Sequence, residues 1–166
     1  MHALDDELKT LSKRMSNLLS QSPVSVLLEQ RGIGPVTAAV AHTTWSHLGR
    51  VRSEAAFASL AGANPIPASS GNTVRHRLNR DGDRRLNRAL HKAIVTRMRT
   101  DPDTRAYVAR RTAKGRTTKE IRRCLKRYLA RQIYRQFNPP PRTHAQLDEH
   151  RRFNGIVELH RRIARG

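Results

Sequence analysis

Residues 73–135 hold 21 Lys or Arg against 5 Asp or Glu, a net of +16 in a chain of 166 residues whose total is +20. The flanks are mild, with a net of +1 over residues 1–72 and +3 over residues 136–166. Any fold must hold this dense cationic block on its surface, on elements that still bury apolar residues on another side. A merely solvated face would mix signs, whereas crowded like charges repel unless a polyanion neutralises them. Of the 33 cations, 27 are Arg, whose flat fork of donors suits phosphate oxygens. Nucleic acid is the partner this implies; an unusually basic surface or a membrane-surface patch is the alternative.

Composition narrows the fold. Hydrophobic residues make up 37% and aromatics 4%, enough for helices around a thin core but poor for a β-sandwich or a large enzyme pocket. No run is long enough for a membrane span, and residues 1–20 lack the apolar core of a signal peptide. Cys124 is the only cysteine, so there is no disulfide framework or Cys-rich zinc site. A soluble, mostly α-helical protein of the cytoplasm, associated with the nucleoid, is expected.

Leu4, Leu8, Leu11, Met15 and Leu18 alternate four- and three-residue steps, as in a coiled coil. A helix over residues 4–18 either packs on its own domain or pairs with another helix. Ser22-Pro23 can open a short helix, followed by Arg31-Gly32-Ile33-Gly34-Pro35 and a second helix from Val36. Gly32 and Gly34 around one apolar residue read as a helix–hairpin–helix, which lets phosphate approach the N–H groups of the second helix. A plain αα-turn is the competing reading. Ser53 caps a helix ending before Gly62. Asn64 to Asn72, with Pro65 and Pro67, is extended and then turns, and Thr73–Leu78 forms a short strand or arm. Asp81-Gly82-Asp83 turns the chain and caps a long helix to about Arg99, with Leu86, Leu90, Ala93 and Ile94 on one stripe. Asp101-Pro102 opens another, ending at Gly115. Thr117 and Glu120 have capping-box spacing and start a helix to about Phe137, with Ile121, Cys124, Leu125, Tyr128, Leu129 and Ile133 at helical spacing. Pro139 to Pro141 ends the folded block, and a last amphipathic helix can follow from Thr143.

These readings give a mostly α fold: a helical domain with a helix–hairpin–helix and a short extended Pro/Ser/Gly segment, preceded by a coiled-coil-like helix. The expected parts are a linker helix over 1–21, a helical nucleic-acid-binding domain over 22–137, and a Pro-led tail over 138–166. Arg75, Arg77, Arg80, Arg84, Arg85, Arg88, Arg122, Arg123, Lys126 and Arg127, with Gly32 and Gly34, are the expected contacts to nucleic acid.

Candidate chemistry is sparse. Ser69-Ser70-Gly71 lies beside the basic block, where a Ser hydroxyl can attack a phosphodiester while Arg neutralises the developing charge. The same tripeptide is common in surface loops, and spacing alone does not demand catalysis. Asp81 with Asp83, and Asp101 with Asp103, make sense as turns and caps rather than as metal ligands. His76 and His91 touch phosphate or fill the core, and Cys124 and Trp45 are expected to pack inside. No metal ligand set and no cofactor is expected in this chain.

Leu27 to Ala41, Phe57 to Gly62, Asn64 to Gly71, Arg75 to Arg80, Asp83 to His91, Ala106-Tyr107 and Gly115 to Tyr134 follow one another in an order that resembles the C-terminal domain of DEDD insertion-sequence transposases, a family related to the Piv/MooV DNA invertases. The resemblance spans roughly residues 3–137. It implies a helical transposase domain joined through a coiled coil to an N-terminal RuvC-like domain that binds Mg²⁺ through acidic residues. It implies a Ser nucleophile, aligned with Ser70 and with Ser69 as its neighbour, and recombination guided by a structured RNA. Met1 falls inside the coiled-coil part and no acidic quartet is present. The expectation is therefore a truncated transposase that binds DNA at element ends and target and lacks catalysis alone, as a homo-oligomer or a mixed oligomer with an intact transposase that it regulates. A stand-alone basic helix–hairpin–helix module, binding RNA or shaping DNA, is the alternative.

Overall fold

Side chains placed to accept from orphan N–H groups set the helix starts in the computed structural model, which describes residues 2–67, 76–79 and 81–139. Ser53 accepts from Ala56 N at 3.1 Å and opens α3, Glu54–Leu60. Asp83 accepts from Leu86 N at 2.8 Å and opens α4, Arg84–Thr100. Asp101 accepts from Thr104 N at 2.9 Å and opens α5, Pro102–Ala113. Thr117 and Glu120 complete a reciprocal capping box at the start of α6, Thr118–Phe137. Such caps are worth about 1 kcal/mol each. The acid-pair sequences at 81–83 and 101–103 thus supply caps through Asp83 and Asp101. The Thr104 hydroxyl and N–H hold the Asp101 carboxyl below the ordinary carboxylate range.

The N-terminal half is less regular. Helix α1, His2–Ser20, runs up to a string of turns containing one 3₁₀ turn, Ser25–Leu27, and then α2, Pro35–Trp45. The first helix of the expected hairpin is therefore a single 3₁₀ turn. Ser22 spends its hydroxyl on Leu19 O at 2.7 Å, which turns the chain instead of opening an α-helix. Leu27, at its end, is still fully buried.

Helices α4 and α6 form the centre, packed on each other, with α2 against α4 and α3 against α6. Phe57, Leu86, Leu90, Ile94, Ile121, Leu129 and Ile133 are buried there. Trp45 stacks on Phe137 at 4.9 Å between centroids, and the Tyr134 hydroxyl donates to Val51 O at 2.9 Å. These contacts tie the end of α6 to the segment between α2 and α3. Strands β1, Pro65–Pro67, and β2, His76–Leu78, pair antiparallel with Ile66 opposite Arg77. The mostly helical expectation is met, with this ribbon as the extended segment.

On α1 the expected stripe is open. Leu4 is 68% exposed, and Leu8, Leu11 and Leu18 are exposed too, while Leu19 is buried and Met15 partly so. Helix α1 contacts α2, and of the five heptad residues Met15 alone packs against the core, so self-packing does not account for the exposed leucines.

Candidate nucleic-acid interface

The start of α4 is fixed by a polar corner. A Cβ on Gly82 would collide with the backbone N of Gly62 and come within 2.8 Å of Leu60 O, so the two chain segments touch backbone to backbone. Gly62 lies at φ +62°, a conformation that L side chains rarely adopt. Asp83 N donates to Leu60 O at 2.7 Å. Asn79 donates to Ser59 O at 3.0 Å and to Asn64 Oδ1 at 2.8 Å, which closes the base of the β1–β2 ribbon. Asn87 donates to Ala61 O at 2.7 Å and accepts from Lys126 Nζ at 3.0 Å. One amide thus joins α3, α4 and α6.

Above this corner lies a cleft of about 330 Å³, lined by Gly62, Asn79, Gly82, Arg84, Asn87, Arg88 and His91. Arg84 and Arg88 are exposed and, among the described residues, meet no carboxylate at ion-pair distance. Behind the lining, α6 brings Lys126, only 8% exposed, to Asn87, and Arg122, whose Nε is buried without a hydrogen-bond partner, close enough to act on His91. Burial, then the charge of Arg123, pushes the Lys126 ammonium below its ordinary value. Burial, then Lys126 and Arg122, pushes the His91 imidazole down as well. A positive field with no internal counter-charge is what an anion can relieve.

Sequence reasoning and geometry part company at several residues. Of the expected contacts, Arg84 and Arg88 line the cleft, whereas Arg122 and Lys126 stand behind it, Lys126 buried and bonded to Asn87. Arg85 and Arg123 are exposed outside the cleft lining, and Arg127 is half-buried on α6. Gly32, at φ +77°, has its Cβ side 2.7 Å from Ala93 O, so it packs on α4, whereas Gly34 caps α2 with open space around it. Arg77 stands in β2. Ser69, Ser70, Arg75 and Arg80 lie outside the described residues. Asn79 and Asn87 were missed. Their signal is weak, since an Asn reads as a turn or helix-surface residue unless its partners are known.

Among the described residues no group of three His, Cys, Asp or Glu stands close enough to hold a metal ion. Asp83 and Asp101 are already engaged as caps, so these residues do not fit a Mg²⁺ site. No helix among them is long and apolar enough to cross a membrane.

Comparison with known proteins agrees with a mobile-element origin. The sequence is 33% identical over 117 residues to the insertion element IS110 uncharacterized 43.6 kDa protein of Streptomyces coelicolor. That match covers 69% of this chain and 29% of the relative, so the chain corresponds to under a third of that protein. The pattern of the IS116/IS110/IS902 transposase family matches residues 24–109, which take in the glycine turn, the ribbon and all of α4. With more than half of its length matched, the chain belongs to the IS116/IS110/IS902 transposase family.

Proposed function

We propose that this chain is the DNA-binding C-terminal part of a transposase of the DEDD type, and that the cleft along the N-terminal half of α4 seats the sugar–phosphate backbone. The observation that carries this is the pair Arg84 and Arg88, which line the cleft beside His91 and meet no acidic partner among the described residues. Phosphate contacts release counterions, so duplex affinity should fall steeply with salt, by about 0.9 log unit per log unit of salt for each contact. A salt-insensitive affinity overturns the reading.

In this proposal Ser70 is the nucleophile for strand exchange, with Ser69 beside it, and acts only together with the RuvC-like domain, where Mg²⁺ is held. Joined to that domain, the chain should form a covalent protein–DNA adduct that Ser70→Ala abolishes. An adduct surviving in the Ser69→Ala/Ser70→Ala double variant overturns the assignment. The exposed stripe Leu4, Leu8, Leu11 and Leu18 supports self-association or mixed assembly with a longer relative. A structured guide RNA belongs to the same proposal.

A further inference from the structure

Tyr128 departs from the pattern of its helix. It falls between the buried Leu125 and Leu129 at the spacing of the apolar stripe, yet is 58% exposed. Its ring meets Tyr107 of α5 edge to face, with centroids 6.3 Å apart and planes at 88°. Tyr107 is half-buried and covered, since the guanidinium carbons of Arg110 and Arg111 stand 5.6 and 6.0 Å from its ring centroid. One ring is thus backed by protein and cations, and its neighbour is open to solvent. Arg127 precedes Tyr128 on α6, and the buried Nε of Arg111 has no hydrogen-bond partner. Arg110, Arg111 and Arg127 form no ion pair with the described residues.

We propose that Tyr128 is a stacking platform for an unpaired base of single-stranded nucleic acid, with Arg110, Arg111 and Arg127 holding the adjoining phosphates. Every base has a π-face, but in a duplex those faces are already stacked on their neighbours. Only an unpaired base can lie on Tyr128, and only a strand that brings its own phosphates neutralises the guanidinium groups over the adjoining Tyr107 ring. A protein partner fits less well, because the centre of a protein interface is depleted of charge and the ring that Tyr128 packs on is covered by two guanidinium groups. The inference rests on the reading of the chain as a nucleic-acid binder and adds a second kind of strand to it.

The test compares the affinity of the full chain for a short oligouridylate, the matching oligothymidylate and a DNA duplex. Tyr128→Leu should weaken single-strand binding by about 5- to 100-fold, while Tyr128→Phe keeps it within about twofold. Duplex affinity should stay within about twofold in both variants, since the cleft along α4 is untouched. An oligonucleotide carrying 5-iodouracil should crosslink to Tyr128 under near-ultraviolet light. Tyr128-dependent binding of either strand supports the proposal, and a preference for the ribose strand assigns the occupant to RNA. Unchanged single-strand affinity in Tyr128→Leu, or an equal loss on duplex, overturns it. Wild-type chain that binds duplex but no single strand overturns this inference alone; chain that binds neither overturns the nucleic-acid reading as well.

Discussion

In the C-terminal half of α4, Arg97 spends its nitrogens on the protein itself. It donates to Arg31 O at 2.7 Å, to Gln132 Oε1 at 3.2 Å and to Gln30 Oε1 at 3.3 Å. Arg31 in turn reaches Thr100 O and lies 3.8 Å from Asp101. Arg135 pairs with Glu54 through two hydrogen bonds, with Arg131 beside them. In the N-terminal half of α4, Arg84 and Arg88 line an open cleft and no acid among the described residues answers them. The same residue type on the same pair of helices thus does two jobs. Near Arg97 it fastens the glycine turn to α4 and α6. Near Arg88 it leaves a field for an external anion. Charge density alone does not mark a binding surface; what marks it is cation without internal acceptor.

The sharpest way to break this contrast is to reverse charge in the cleft. Arg84→Glu/Arg88→Glu should lower duplex affinity by about 100-fold and flatten the salt dependence by about two phosphate contacts. Thermal stability should hardly change, because neither side chain forms a hydrogen bond or ion pair with the described residues. If affinity stays within a few-fold, the groove is not the DNA seat and the comparison collapses.

The opposite outcome is expected at Arg97. Arg97→Met keeps the aliphatic stem but leaves Arg31 O and two amide oxygens without their donor. Hydrogen bonds from charged donors and unsatisfied acceptors set a cost of about 1–2 kcal/mol in a part-exposed site. Burial already holds the Arg97 guanidinium below its ordinary value, so part of the gain from its bonds is offset in the native chain. Denaturant unfolding reads this loss, and duplex affinity of the folded variant should stay within about twofold. A variant with native stability and weakened DNA binding would show that Arg97 belongs to the interface.

Much of this architecture is legible in the sequence, for physical reasons. Ser53, Asp83, Asp101 and Thr117 announce their helices because a cap is a local event, decided within four residues. The stripe Leu86, Leu90, Ala93 and Ile94 is legible because burial follows helical period. What is not legible depends on contacts distant in sequence. The backbone touch of Gly62 and Gly82, the three-way bond of Asn87 and the burial of Lys126 each join residues 20 or more apart. Gly32 and Gly34 show the same limit. Their spacing suggests one motif, yet one packs on Ala93 and the other faces open space. Tyr128 sits on the apolar period of α6 but is exposed beside α5, because period places a residue on a face and not under a neighbour.

The smallest effect tests whether the cleft field answers an anion. His91 faces Arg84 and Arg88 along its own helix and Arg122 and Lys126 from α6, all of them cations. In the free chain its pKa lies below the ordinary His value, so the folded state prefers the neutral ring and the unfolded chain binds more protons. Stability from this residue therefore declines as pH falls through the ordinary His range. A phosphate seated in the cleft works in the other direction. Its negative charge raises the His91 pKa in the complex, so binding takes up a proton between the lowered free value and the raised bound value. Duplex affinity should rise modestly as pH falls across that window, while His91→Gln removes most of the rise and leaves affinity above the window nearly unchanged. A pH profile identical in the variant and the native chain would mean that no phosphate comes near His91, and would move the DNA seat away from the cleft even if the charge reversal had weakened binding.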